Sequence, residues 1–400
     1  MVNRYKLKNN LKIIELKRKS DIATIQITVN VGSNNEPTKI GGISHFIEHM
    51  VFEGTKKRTS EQIANSIESL GGTISAYTSN ETTCFFVKIA KTHFDLALDV
   101  LSDILINPLF ELKLIEKERP IILSEIKMVQ DEPRHHQWTL FYQALFRKFP
   151  AKNPIAGSVK SVKSMTRQDL INYHRKYYTA PNTIVTVVGD ISNLKTKINQ
   201  YFKNLSSKQA KFHIEEEIIN LKNTKKEKKK TNQSYVIMGY KTPKRKTFDS
   251  HVFDVIQAVL GRGLSGKLFR TIRIKNSLAY DVGVHSDPNI NYGTFAAYFS
   301  TDKKNIKKCI KLTLEEFQKL KKITSQELKE AKQYLEGAFL LGKEDSQSLA
   351  AEIGQWELAS RAEDGLKYID AIKKVTKQDI IRIIDQYLNN NYSLAIIEQS

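Results

Sequence analysis

Cysteine is nearly absent from this 400-residue sequence, which holds only Cys84 and Cys309. Two cysteines exclude a disulfide framework and argue against a Cys-ligated zinc site. Long apolar runs are missing as well. No stretch of about 18 apolar residues occurs, so no membrane span and no membrane partner are expected. The opening MVNRYKLKNNLKIIELKRK lacks the apolar segment of about 7–15 residues that marks a secretory signal, and a cytoplasmic protein is expected. Acidic residues are in the minority, 43 against 63 Lys and Arg, for a formal net charge of +20. Such an excess raises nucleic-acid binding as an alternative class of function. Its densest run, KNTKKEKKKTNQ at 222–233, is polar, has no aromatic residue and reads as a solvated linker between two structured regions. Lysine is common throughout and no recognition motif accompanies it, so no nucleic-acid partner is expected.

What is present fits a soluble globular chain: 40% hydrophobic and 26% charged residues. The length suggests about two to three domains. Strand-like and helix-like segments alternate. ATIQITVNV, TCFFVKIA and TIVTVVGDI read as strands; residues 43–52, SEQIANSIESLG and HFDLALDVLSDILIN read as helices. After the lysine-rich run the order repeats. QSYVIMGYKT and GTFAAYFST read as strands, DSHVFDVIQAVLG and IKKCIKLTLEEFQKL as helices. The expectation is an α+β protein of two domains of similar plan, 1–210 and 231–400, joined by a linker at 211–230.

The chemistry concentrates in GGISHFIEHMVFEGT, residues 41–55. Ile43, Phe46, Ile47, Met50 and Val51 fall on one side of a helix, at about 100° per residue. His45, Glu48 and His49 share the other side. Histidines at i and i+4 lie one turn apart and face the same way, as two neutral ligands of one zinc ion require. Glu48 beside them suits a general base for water activated by the metal. A solvated polar face is the plainer reading. The order H-x-x-E-H, however, is the inverted form of the zincin motif H-E-x-x-H. A catalytic zinc needs a third protein ligand, and Glu125 in IEKERPIILSEIKMVQDEP is the candidate. If Pro120 opens or kinks a helix, Ile121, Ile122 and Val129 surround Glu125, and a carboxylate there is costly unless paired or metal-bound. Glu118 lies two turns earlier on nearly the same face. An ion pair with Lys or Arg is the structural alternative for Glu125.

Two other patterns carry less. GRGLSGK, 261–267, has the spacing of a phosphate-binding loop. Leu268 stands where Ser or Thr would bind magnesium, however, and the preceding VFDVIQAVL has a helical period where a strand is required. His135 and His136 are adjacent and point apart on a helix, which favours surface or hydrogen-bonded roles. His93, His174, His213, His251 and His285 have no comparable constellation.

These motifs together resemble the insulinase/pitrilysin family of zinc metallopeptidases, the inverzincins, in its short single-chain form, as in mitochondrial processing peptidase subunits and prokaryotic homologues. The resemblance covers nearly the whole chain. It runs from LKNNLKIIELKRKSDIATIQITVNVGSNNEP through GGTISAYTSNETTCFFVKI and NPIAGSVKSVKSMTRQDLINYHRKYYTAPNTIVTVVGDI to GRGLSGKLFRTIRIKNSLAYDV. It implies that His45, His49 and Glu125 bind one Zn2+ per chain. Glu48 is then the catalytic base and Glu118 a supporting acid. The strand at Ser75, Ala76 and Tyr77 would pair with a peptide substrate, the family often carrying Asn at position 75. Arg273 and Tyr280 match a substrate-binding pair. The implied fold is two similar α/β sandwiches, each a mixed, largely antiparallel sheet with helices packed on one face. The implied activity is a zinc-dependent endopeptidase working on peptides or unfolded segments in a closed chamber. A non-catalytic subunit of a peptidase complex would usually lose part of the zinc motif, which this chain keeps whole. Longer relatives carry the zinc half and the Arg/Tyr half in one chain of about twice this length. The expectation is therefore a homodimer in which each zinc site is completed by the partner's Arg273 and Tyr280.

Overall fold

The computed structural model describes residues 2–212 and 214–400; His213 lies outside the described residues. Contacts divide the chain into two compact units. Met1–Lys127, Asn153–Ile214 and Gly342–Leu366 form the first; Met128–Lys152, Glu215–Leu341 and Lys367–Ser400 form the second.

The first unit is built on six strands: β1 (Val2–Lys6), β2 (Lys12–Leu16), β3 (Ile22–Val29), β4 (Thr73–Thr78), β5 (Thr83–Ala90) and β6 (Thr183–Val188). Their order is β1-β2-β6-β3-β5-β4, antiparallel except for the β2/β6 pair. Alternation along the strands gives the sheet two distinct faces. Ile25, Ile27, Val29, Phe85, Val87, Val185 and Val187 point into the main core, against helices that include Ile43–Met50 and Phe94–Ile106. Thr24, Gln26, Thr28 and Thr186 point the other way, yet they are just as buried. A helix from the far end of the sequence, Ser346–Ala359, covers them. Its Leu349, Ala350 and Ile353 pack with Ile14, Leu16, Ile184 and Val188. Ion pairs hold its ends, Arg4–Glu357 at 2.7 Å and Lys88–Asp345 at 2.6 Å.

The second unit repeats the plan with β7 (Asn223–Lys229), β8 (Ser234–Thr242), β9 (Ala279–Pro288), β10 (Gly293–Thr301) and β11 (Ser393–Gln399), in the order β7-β11-β8-β10-β9. Here too the pairing is antiparallel except for one pair, β7/β11. Val236, Met238, Tyr240, Phe295, Ala297 and Phe299 build its core with the helices Phe248–Gly261 and Ile306–Lys319. The opposite face receives the helix Pro133–Leu145, from the first half of the sequence. A Cβ on Gly239 of β8 would lie 2.8 Å from the Phe141 ring, so only glycine lets this helix come so close.

The expected α+β plan of two similar sandwiches is therefore present, with one more helix on the second face of each sheet. The boundaries differ from 1–210 and 231–400, because each half lends a helix to the other half's sheet. A sheet buried on both faces needs cover on both, and helical periodicity does not say which sheet a helix will cover. The linker expected at 211–230 also differs. Asn223–Lys229 is an edge strand, and its lysines suit an edge exposed to solvent. His136 bonds Glu227 of this strand at 2.6 Å, a hydrogen-bonded role. GRGLSGK follows a helix, and Lys267 pairs with Glu327 at 2.7 Å.

The segment leading into β7 is tied down by Glu217. Its carboxylate accepts from the backbone N–H groups of Arg147, Lys148 and Phe149 at 2.8–3.1 Å and from the buried Lys241 ammonium at 2.7 Å. Burial pushes its pKa up, but the Arg147 N–H, Lys241 and the other two N–H groups outweigh burial and hold it at about 2. An unfolded Glu titrates near 4.3. The stability that Glu217 contributes is thus complete above that value and is lost as pH falls towards about 2. Glu217→Gln should lower stability by about 1–2 kcal/mol at pH 7. Urea unfolding across pH should show the wild-type advantage shrinking between about pH 5 and pH 2.

Candidate metal centre

The helix Ile43–Met50 carries the H-x-x-E-H motif. Ile43, Phe46, Ile47 and Met50 are buried, which leaves His45, Glu48 and His49 facing outward. Its start is set by Gly42, whose left-handed backbone (φ 93°) and missing Cβ let Ala156 lie against it. Glu36 caps this end. One of its oxygens accepts from Gly42 N–H at 2.6 Å and the other from Ser44 N–H at 2.8 Å, so two orphan donors of the first turn are satisfied. Burial pushes the Glu36 pKa up to about 8, against the lowering effect of those bonds.

The long helix Leu112–Asp131 brings the third candidate ligand. It runs through Pro120 without opening there, and its buried stripe is Ile115, Glu118, Ile122 and Ile126. Of the apolar residues expected around Glu125, Ile122 is buried but Ile121 and Val129 are exposed. Glu125 therefore sits at the margin of the stripe, where a carboxylate is tolerated. Its Oε2 lies 3.6 Å from His45 Nε2 and 3.5 Å from His49 Nε2. A tetrahedral zinc with bonds of about 2.1 Å spaces its ligands about 3.4 Å apart, so the donor set and its spacing fit that ion. The three ligand atoms lie within 4.8 Å of one another, and no other such group of three occurs among the described residues.

The surroundings suit the same ion. Burial, then the neighbouring His49, lower the His45 pKa to about 4, which leaves its imidazole neutral. His49 Nδ1 is 2.8 Å from Oε1 of the buried Glu118. Donating that N–H fixes the tautomer and turns the Nε2 lone pair towards Glu125. Glu48 stands apart from the trio. Its Oε2 accepts from Thr78 Oγ1 at 2.6 Å. Burial raises the Glu48 pKa, the Thr78 bond and His49 lower it, and Glu125 raises it again.

Ser75 and Ala76 lie on β4 in this same unit, paired with Phe86 and Phe85 of β5. β4 ends the sheet, so its other side has no strand partner within that sheet. Arg273 and Tyr280 belong to the second unit. Arg273 is on the helical turn Arg270–Lys275 and Tyr280 on β9, with a chain reversal through Ser277 (φ 50°) between them. The Arg273 guanidinium sits 4.2 Å from the Tyr280 ring centre and 5.0 Å from that of Phe269, and it donates to the Tyr280 carbonyl at 3.0 Å. Tyr280 is 68% exposed, so the pair is formed and available to a ligand. Sequence reasoning missed Glu36 and Thr78. Thr78 lies two residues beyond Ala76 and shares its face of the strand; Glu36 has no local signal at all.

A family model described as Insulinase (Peptidase family M16) matches residues 12–159. A second, described as Peptidase M16 inactive domain, matches residues 164–335. The "Uncharacterized zinc protease YmxG" of Bacillus subtilis is 29% identical over 100% of this chain and 99% of its own length. A protease from Helicobacter pylori superposes with a TM-score of 0.93 at 22% identity, covering 100% of this chain and 99% of that one. A peptidase M16 inactive domain from Pseudomonas fluorescens gives 0.92 at 18% identity, covering 100% and 98%. The likeness to the two solved structures extends the shared fold over the full chain. With both family models matched in sequence and the inverted zinc motif folded as a helix, the chain belongs to the insulinase family of peptidases, M16.

Proposed function

We propose that this protein is a zinc-dependent endopeptidase that cleaves peptides or unfolded protein segments. The observation that carries this reading is the division of labour at the centre. His45, His49 and Glu125 converge, while Glu48 lies beside them and is held by Thr78. These three residues would hold one zinc ion per chain, which when bound supplies Lewis acidity towards a carbonyl and acidifies water. Glu48 takes a proton from the attacking water as its oxygen bonds to the scissile carbonyl carbon. It then delivers that proton to the amine nitrogen as the C–N bond breaks. Glu118 keeps His49 in the ligating tautomer. The free edge of β4 at Ser75 and Ala76 pairs with the substrate backbone, which reads peptide groups more than side chains.

The second half of the reading concerns assembly. Arg273 would hold the substrate backbone, and the Tyr280 hydroxyl would donate to the developing oxyanion. In a two-fold dimer each zinc site would be completed by the partner's Arg273 and Tyr280. The enclosed space would admit only peptides and unfolded segments.

Glu48→Gln should retain one zinc per chain by metal analysis while turnover of a quenched peptide falls at least about 100-fold. Zinc lost together with the fold would instead make Glu48 structural. Glu125→Gln should surrender zinc to a chelator that leaves the wild type loaded, and should lose cleavage with it. Equal zinc retention and activity would remove Glu125 from the ligand set. Glu48→Gln and Tyr280→Phe chains, each nearly inactive alone, should recover about a quarter of wild-type activity when mixed 1:1 under subunit exchange. No recovery despite demonstrated exchange would rule out composite sites.

A further inference from the structure

Thr78 stands where two parts of the proposed machinery meet. It is the last residue of β4, the strand whose outer edge is free within its sheet. Its hydroxyl is also the donor that holds Glu48, at 2.6 Å. Glu48 Oε1 accepts no hydrogen bond from the described residues, so one carboxylate oxygen is clamped and the other is left for a proton. By strand alternation Thr78 shares the face of Ile74 and Ala76, both of which pack against the core that includes the zinc-motif helix.

The chain beyond Thr78 returns to that helix. Ser79 closes a tight turn, its Oγ accepting from Thr82 N–H at 2.9 Å. The turn is bonded to the segment before the helix: Ser33 N–H donates to the Ser79 carbonyl at 3.2 Å, and Asn34 N–H to the Asn80 carbonyl at 2.7 Å. Two residues on, Glu36 caps the helix through Gly42 and Ser44. Bonded links therefore run from the end of β4 through the turn, through 33–36 and along the helix to Glu48, and Thr78 closes the ring.

We propose that Thr78 is a positioning residue that couples strand addition on β4 to the orientation of Glu48. The inference rests on the peptidase reading. β4 is held by strand pairing along one edge only, with Thr78 opposite Thr83 of β5, so any displacement of this edge strand is passed through the Thr78 hydroxyl to the Glu48 carboxylate. A peptide backbone paired along β4 fixes the strand end and, through the Thr78 hydroxyl, fixes Glu48. The cleft thus orders its base when an extended peptide is in place.

The test compares Thr78→Val, which keeps the shape and removes the donor, with Thr78→Ser, which keeps the donor. Thr78→Val should hold zinc and KM near wild type while kcat drops about 10–100-fold, and Thr78→Ser should return kcat to within about 3-fold. An unchanged kcat in Thr78→Val, a change confined to KM, or failure of Ser to rescue would overturn the proposal. A second measurement needs no turnover. In metal-free protein, an unstructured peptide of about 20 residues should slow amide exchange in β4 and also in residues 46–50. In Thr78→Val it should slow exchange in β4 alone. Equal slowing at 46–50 in both proteins would overturn the coupling, whether or not the wild type cleaves peptides. A wild type that holds zinc yet never cleaves, but shows the Thr78-dependent slowing, would sink the peptidase reading and leave the coupling standing.

Discussion

An eight-residue helix has too few internal hydrogen bonds to stand alone in water, and the whole centre depends on one such helix. Ile43, Phe46, Ile47 and Met50 supply what propensity cannot, each side chain fully or almost fully buried against the first sheet and its helices. Removing that much apolar surface from water, at about 1.5–3 kcal/mol per large side chain, outweighs the weak intrinsic preference of so short a segment. The helix backbone that carries the functional face is therefore anchored by what lies behind it. The Glu36 cap and the close approach of residue 156 at Gly42 set where the helix begins, and hence where His45 and His49 point.

Four glutamates lie on or around this helix, and each has a different environment. Glu36 is bonded to the backbone N–H groups of Gly42 and Ser44 at the helix N-terminus, and burial raises its pKa. Glu118 is buried and bonded to Nδ1 of His49, so it orients an imidazole and does not itself face the Nε2 atoms. Glu125 is more open and faces both Nε2 atoms. Glu48 is mostly buried but bonded through one oxygen only, to a hydroxyl. The same side chain meets backbone N–H groups, an imidazole N–H, two imidazole Nε2 atoms or a hydroxyl, and these surroundings set how its charge is held.

The exchange of helices has a physical reason on each side. The polar face of the first sheet, with Thr24, Gln26, Thr28 and Thr186 buried at its centre, is a poor free surface and a workable interface for a helix with small residues. In the second unit, Gly239 under Phe141 makes the same accommodation from the sheet's side. Each unit thus completes its layers with a segment more than 100 residues distant in sequence from some of the strands it covers. Neither half of the chain, cut at its middle, holds all the elements of one unit.

Much of this was legible in the sequence by itself. The spacing of Ile43, Phe46, Ile47 and Met50 against His45, Glu48 and His49 determined a helix with one polar face, because a 3.6-residue period is a local property. The strands at 22–29, 83–90, 234–242 and 293–301 followed for the same reason, from short runs of β-branched and aromatic residues. Glu125 does converge with His45 and His49, but not from the apolar surroundings expected of it: Ile121 and Val129 face solvent, since Pro120 leaves the long helix intact and the buried stripe passes through Glu118 instead. The lysine run at 222–233 looked like linker because an edge strand needs no apolar residues, so its composition hid its pairing with β11. Glu36 as cap, Thr78 as hydrogen-bond donor to Glu48, and the helices 133–145 and 346–359 as covers for the other half's sheet were decided only in three dimensions. Each depends on which surfaces meet across a long sequence separation, and such partners leave no period, cap or turn signal in the residues themselves.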